Sequence, residues 1–382
     1  MIASIPKNQV RKTYAKVKQY DIQAYDEDNL YPQRMDDILK ASPTTFSCVR
    51  VYAKFIRGKG FKDTTFYKSV INDEGLTCDK LLRKLSEDFA EYQGFVILVN
   101  YNALYQISEL YFGPFENYRL GLDETDHAGL IAEYFDWPKK IKNSIKKDDI
   151  KWYHPFNPDP VIIEKQVLAA GGWENYNGQI FYYSVDQDGY PLCSFDPVLE
   201  SALAEVDSDR TTRNNLKNNF SAKTVYIRKG KFEDEDERQE FLGNLKTFVG
   251  PDGSQIMMIE TEGETGSGGE DIDAPEIKEI PSALNDKLFE YTDNKVMRKI
   301  MRNYLIPAIL LSITDGGYFN QQQLQDATRY FNTITVDERI LFEEVFRRLG
   351  QLFHTTINPS GDYSMMELDD FKLIEDGSAN NA

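Results

Sequence analysis

Two long stretches of helical patterning, with a short mixed segment between them, constrain this chain more than any single motif in it. In the first, residues 196–220, Pro197 suits a helix start and Val198, Leu199, Ala202, Leu203, Val206, Leu216 and Phe220 are the apolar positions. At 1.5 Å per residue such a helix is about 36 Å long. Its middle, 207–215, is almost wholly polar, which a helix packed inside one core does not tolerate. That pattern predicts a helix that crosses between two bodies or lines a shared surface. The second stretch, 283–305, repeats Leu284, Leu288, Tyr291, Met297, Ile300, Met301 and Tyr304 at helical spacing and stops before Pro307. Between the two, 224–228 and 256–259 read as strands. Residues 233–248 read as an amphipathic helix with an acidic first turn, and 262–273, rich in Gly, Ser, Glu and Asp, reads as a mobile loop. The expectation is a small α/β insertion bracketed by two long helices.

The region before the first long helix reads as α+β. Asp28-Asn29-Leu30-Tyr31-Pro32 leads into a short helix on Met35, Ile38 and Leu39. Ser42 and Pro43 then begin a helix with the stripe Phe46, Val49, Ala53 and Ile56, stopped by Gly58 and Gly60. A third helix carries Leu81, Leu82, Leu85, Phe89 and Tyr92 and is expected to end at Gly94. Strands follow at 95–100 and 104–112 around a turn at Asn102, then at 130–135, 151–154 and 179–184. This pattern predicts a sheet built from hairpins, without βαβ alternation; beyond the strand at 151–154, the rest of 152–172 receives no assignment. After the second long helix, 312–320 (SITDGGYFN) reads as a loop with a helix cap at Asn320. Further helices then carry Leu324, Tyr330 and Phe331, and Ile340, Leu341, Val345, Phe346, Leu349, Leu352 and Phe353, before a polar tail from Asp376.

The formal net charge of −18 is the opposite of the basic footprint by which proteins grip nucleic acid through its phosphates. It suits a surface past which DNA slides without sticking. Cys48, Cys78 and Cys193 lie too far apart for zinc or disulfide spacing, which fits a reducing compartment. The opening MIASIPKNQVRK lacks the apolar core of a signal peptide. The longest apolar stretch, 305–311, is broken by Pro307 and far too short to span a membrane, so a chain made in the cytoplasm is expected.

Catalytic chemistry is thinly supplied. His127, His154 and His354 stand at no triad or ligand spacing, and the glycines at 263–269 and 316–317 match no phosphate-binding pattern. Asp234, Asp236, Asp271 and Asp273 have alternate spacing but no calcium-loop signature, and read as a helix first turn and a solvated loop. No cofactor is expected. Lys295, Arg298, Lys299 and Arg302 form a basic strip in an otherwise acidic chain, open to two readings: a solvated helix end favoured by the dipole, or a local contact to phosphate.

The order of these segments resembles the portal proteins of tailed bacteriophages over most of the chain. The resemblance is carried by Asn29-Leu30-Tyr31-Pro32, Ser42-Pro43-Thr44, Gly58-Lys59-Gly60-Phe61, Tyr118-Arg119-Leu120-Gly121, 178–184 and Tyr190-Pro191, in that order. It implies a portal fold: an α/β wing (1–195), stem helices (196–220 and 283–306), a small α/β clip (221–282), a tunnel-loop region (307–320), and helices returning to the wing with a minimal crown (321–382). It also implies a non-catalytic ring, normally of twelve subunits, at one capsid vertex of the virion, assembled in the host bacterial cytoplasm. Double-stranded DNA would pass through its channel in packaging and ejection. Terminase and head-completion or adaptor proteins would dock on the clip, and the major capsid protein and scaffold on the wing. Thr314, Asp315, Gly316, Gly317, Tyr318, Phe319 and Asn320 would then form the tunnel loop, with Tyr318 and Phe319 at the constriction, though Phe319 suits a packing role equally. Lys295, Arg298, Lys299 and Arg302 would be the phosphate contacts. Two other classes are compatible with the residues: an acidic metal-dependent nuclease or nucleotidyl transferase, and a different virion connector without the inserted segment.

Overall fold

The computed structural model describes residues 16–17, 20–137, 147–186, 189–217, 223–229, 234–236, 238–240, 256–261, 276–280, 286–312 and 321–368. The chain divides into two compact units, one of residues 1–202 and 298–382 and one of residues 203–297. Its class is α+β, as the patterning predicts.

In the larger unit, strands β1 (Lys16–Val17) and β2 (Ile22–Gln23) pair antiparallel ahead of α1 (Tyr31–Ala41), which has proline in its first turn and buries Met35 and Leu39. Ser42 ends α1 and caps α2 (Pro43–Arg57), its hydroxyl accepting the Thr45 N–H at 3.4 Å and satisfying one of the helix's orphan donors. Val49, Ala53 and Ile56 are buried as their spacing predicts. Phe46, on the same stripe, is 38% exposed and lies under the guanidinium of Arg50, 5.4 Å from its ring centroid. Gly58 has φ +56 and passes so close to the chain's far end that a Cβ there would meet the Met366 carbonyl oxygen at 2.0 Å. At this crossing β3 (Gly60–Phe61) pairs with a two-residue strand, Met365–Met366.

A short helix, α3 (Thr64–Lys68), capped by Asp63, precedes α4 (Cys78–Tyr92), which buries Leu81, Leu82, Leu85 and Phe89. The expected stop at Gly94 moves by one residue. Gln93 takes the left-handed position with φ 58, and Gly94 opens β4, where a Cβ would sit 2.6 Å from the Phe115 ring. The main sheet has six strands in the order β5-β4-β9-β8-β7-β6: β4 (Gly94–Tyr101), β5 (Ile107–Gly113), β6 (Tyr118–Leu120), β7 (Ile131–Glu133), β8 (Lys151–Pro155) and β9 (Gln179–Ser184).

The expectation of a sheet made only from hairpins is corrected here. Strands β8 and β9 run parallel, joined through α5 (Pro160–Ala170), so the largely unassigned stretch 152–172 is a βαβ crossover. Its signal was weak for two physical reasons. The parallel pairing covers only His154 with Gln179 and Pro155 with Ile180. Helix α5 is also apolar on both sides: Ile163 and Val167 are buried while Val161 and Leu168 are exposed, so no amphipathic period marks it.

The smaller unit is entered through α6 (Leu199–Lys217) and left through α7 (Asp286–Asn303). It contains a three-stranded sheet in which β10 (Lys223–Lys229) lies between β11 (Ile256–Thr261), parallel to it, and β12 (Glu276–Ile280), antiparallel. The sequence reading missed β12, whose EIKEI carries too many charges to stand out. The helix read at 233–248 lies largely outside the described residues, and the loop read at 262–273 wholly outside them.

After α7 the chain rejoins the larger unit through a 3₁₀ turn (Ala308–Leu311), α8 (Gln321–Ile334) and α9 (Val336–Gln351). Phe342 of α9 stacks on Phe95 of β4 at 5.1 Å and meets Phe89 of α4 edge-on at 6.0 Å. Phe331 of α8 meets Phe55 of α2 at 4.8 Å. Tyr330 and Ile340, read as apolar face positions, are instead 47% and 46% exposed.

Candidate functional site

Lys295, Arg298, Lys299 and Arg302 all lie on α7 and all are exposed, while Ile300 and Met301 on the opposite side are buried. Offsets of three, four and seven residues place the four cations along one side of the helix. The end of α7 is held firmly. Asn303 donates to the Ser194 carbonyl at 2.8 Å, the Tyr304 hydroxyl and Ser194 Oγ are 2.6 Å apart, and Tyr304 packs against Tyr52. Leu305 turns the chain with φ 55, and Ile306 N–H reaches back to the Met301 carbonyl at 3.1 Å. Thr314, Asp315, Gly316, Gly317, Tyr318, Phe319 and Asn320 lie outside the described residues.

The turn that holds the end of α7 also holds the approach to α6. The Tyr31 hydroxyl donates to Asp196 Oδ1 at 2.7 Å and accepts the Cys193 N–H at 3.0 Å. Residues 193–196 therefore anchor both helix roots in the larger unit. Sequence reasoning assigned no role to Ser194, because its partners are 109 and 110 residues away.

Three of the segments that carried the resemblance, at Asn29, Tyr118 to Leu120 and Tyr190-Pro191, meet around one buried cation. Arg119 is fully buried. It donates to Asn29 Oδ1 at 2.6 Å, to the Asn29 carbonyl at 2.9 Å, and to the carbonyls of Glu116 and Tyr118, both at 2.8 Å. Its guanidinium lies 5.5 Å from the Tyr25 ring centroid and 5.1 Å from that of Trp137. Burial lowers its pKa to about 10, so it keeps its proton at neutral pH. Tyr190 stacks on Tyr25 at 4.2 Å, accepts the Leu120 N–H at 2.7 Å and donates to the Gln23 carbonyl at 2.7 Å; the Tyr25 hydroxyl donates to the Pro191 carbonyl. This is a structural keystone, with its donors consumed by the fold.

A second buried charge cluster sits on α4. Asp88 accepts the Phe115 N–H at 2.9 Å, and burial pushes its carboxyl well above the usual range. Glu91 is pushed up to about 8, first by burial and then by the charge of Asp36, and its Oε1 has no hydrogen-bond partner among the described residues. A carboxyl raised in the folded state contributes stability that is full below its unfolded value, 4.5, and lost as pH rises through about 8. The melting temperature is therefore expected to fall between about pH 5 and pH 8, and Glu91→Gln to flatten that slope. Calorimetry across that range checks it; an identical slope in the variant contradicts the assignment.

Two of the histidines have structural partners. His127 stacks on Trp152 at 4.0 Å, His354 Nδ1 lies 3.1 Å from the Ile107 carbonyl, and half-buried His154 is lowered by desolvation. Cys48, Cys78 and Cys193 are buried thiols outside any disulfide, and burial pushes Cys78 up to about 12. Among the described residues no group of three His, Cys, Asp or Glu side chains could hold a metal ion. Asp234 and Asp236 are exposed, and Asp271 and Asp273 lie outside the described residues. No helix among the described residues is long and apolar enough to cross a membrane.

No protein-family model matches the chain, and no curated protein matches it. Among solved structures, it is similar to a chain of the virion of a native gene transfer agent particle at 12% identity and a TM-score of 0.49, over 84% of this chain and 81% of that one. It is similar to a chain in the neck of the native particle, computed with C12 symmetry, at 12% identity and a TM-score of 0.46, over 85% and 82%. A third likeness, at 9% identity and a TM-score of 0.44, is to an HK97-family phage portal protein from Corynebacterium diphtheriae, over 84% and 91%.

Proposed function

We propose that this chain is a portal-type subunit: a non-catalytic component of a homo-oligomeric ring at one vertex of a phage capsid, through whose channel double-stranded DNA is packaged and ejected. The observation that carries the reading is the second compact unit, 203–297, which is inserted into the sequence of an α+β body through α6 on one side and α7 on the other. That is the order the sequence resemblance implies. In this reading 1–195 is the wing, 196–220 and 283–306 the stem, 221–282 the clip, 307–320 the tunnel-loop region, and 321–382 the return to the wing with a minimal crown.

The charge of −18 supports a channel wall to which DNA does not adhere. Lys295, Arg298, Lys299 and Arg302 are a local exception on an exposed helix side, suited to steadying the phosphate backbone near the loop formed by Thr314 to Asn320. ATP hydrolysis belongs to a separate terminase motor. Terminase and the head-completion or adaptor proteins dock on the clip, and major capsid protein and scaffold contact the wing.

The clip assignment is tested by retention of the phage's large terminase subunit on immobilised protein. The full chain is expected to retain it, and a chain with 223–280 replaced by a Gly-Ser linker to lose at least nine-tenths of that retention (~1.4 kcal/mol per tenfold). Equal retention contradicts the assignment.

A further inference from the structure

The larger unit has a cleft of about 540 Å³ between α1, α2 and α4. Its floor is apolar, with Leu39, Val49 and the exposed ring of Phe46. Along its α2 wall stand Arg50, Lys54 and Arg57, at offsets of four and seven residues and therefore on one side of the helix. None of the three takes part in an ion pair among the described residues. The neighbouring Lys40 and Arg83 differ, being paired with Asp36 and with Glu87 at 3.0 Å. A chain of net charge −18 thus keeps three cations outside any ion pair of the described residues in one concave, partly apolar place.

Such a cleft does not suit a duplex backbone. The apolar floor and the Phe46 ring would face a wholly polar phosphate backbone with nothing to bury against them. It suits a helix face with an apolar residue between two acids. Helix α6 offers one: Glu200, Leu203 and Asp207 are exposed on one side, Leu203 by 36%, while Ala202 and Val206 on the other side are buried. Glu200 has no ion pair among the described residues, and Asp207 has only an exposed contact to Arg210 at 3.8 Å. Glu200 to Asp207 and Arg50 to Arg57 both span about 10.5 Å along their helices.

We propose that in the assembled ring the α1–α2–α4 cleft of each copy receives the Glu200–Leu203–Asp207 ridge of a second copy. Leu203 seats against Phe46 and Leu39, and the two acids face Arg50, Lys54 and Arg57. The contact is heterologous, because two different patches of the same chain meet, and such contacts close into rings when the rotation allows. The inference rests on the ring reading above and names one of its contacts.

The test is a charge exchange read by native mass and end-on particle images. Wild type is expected to run as a ring. A cleft variant (Arg50→Glu, Lys54→Glu, Arg57→Glu) and a ridge variant (Glu200→Lys, Asp207→Lys) are each expected to fall to the 44.1 kDa monomer with unchanged circular dichroism. One chain carrying all five exchanges, or an equal mixture of the two variants, is expected to form rings again; this restoration separates a lost contact from a lost fold. Rings formed by either variant alone, or no restoration in the combined chain, overturn the proposal while leaving the ring reading intact. Unchanged rings with weakened duplex retention assign the cleft to phosphate and also overturn it. A wild type that forms no ring removes the reading and the contact together.

Discussion

Replacing Arg119 by methionine is expected to destabilise the protein by about 3–5 kcal/mol, read as a loss of midpoint in urea unfolding. The side chain is fully buried, and its removal leaves Asn29 Oδ1 and the carbonyls of Asn29, Glu116 and Tyr118 without its donors. Asn29 Oδ1 keeps the Tyr25 N–H and the Glu116 carbonyl keeps the Gln33 amide, but each buried acceptor left unsatisfied costs roughly 1–3 kcal/mol, and the contacts with Tyr25 and Trp137 are lost as well. Arg119→Lys is expected to recover little, since an ammonium cannot reproduce the planar fork that reaches both Asn29 and the Glu116 turn. A methionine variant within about 1 kcal/mol of wild type contradicts the keystone role.

The second large effect is expected at Phe342. Its ring is wholly buried between α4 and the sheet, stacked on Phe95 and edge-on to Phe89. Phe342→Ala removes that ring and leaves a cavity that the surrounding β4, α4 and α9 backbones fill only in part, a loss of about 3–5 kcal/mol. Phe342→Leu, which retains much of the volume, is expected to lose less than half as much. Because α9 lies on the return path of the chain, these variants also report how strongly the segment after α7 is tied to the body. Equal melting of the alanine variant and wild type would contradict the packing described.

Local chemistry made much of the larger unit legible. Ser42 with Pro43 announced α2, the spacing of Leu81, Leu82, Leu85 and Phe89 announced α4, and strand β9 was read at its observed bounds. What the sequence hid was non-local. The crossover through α5 has no amphipathic period, and the Gln93 cap was masked by the glycine beside it. Strand β12 is charged enough to pass for a loop. The segments that suggested a portal could be ordered from sequence, but the meeting of three of them around Arg119 depends on pairings 70 to 90 residues apart in the chain. At the candidate site, helical periodicity was enough to align Lys295, Arg298, Lys299 and Arg302, because their geometry is set within one helix. The root of that helix on Ser194 was not readable, since nothing near Ser194 in sequence marks it as a partner of Asn303 and Tyr304.

The central claim is assembly into a ring with a central channel, and the most direct measurement is the mass and rotational symmetry of the purified protein, by light scattering and then by averaged end-on electron-microscope images. The account predicts closed rings of about a dozen copies with a central hole, each copy contributing the same patches to its two neighbours. A compact monomer or dimer at micromolar concentration would contradict it.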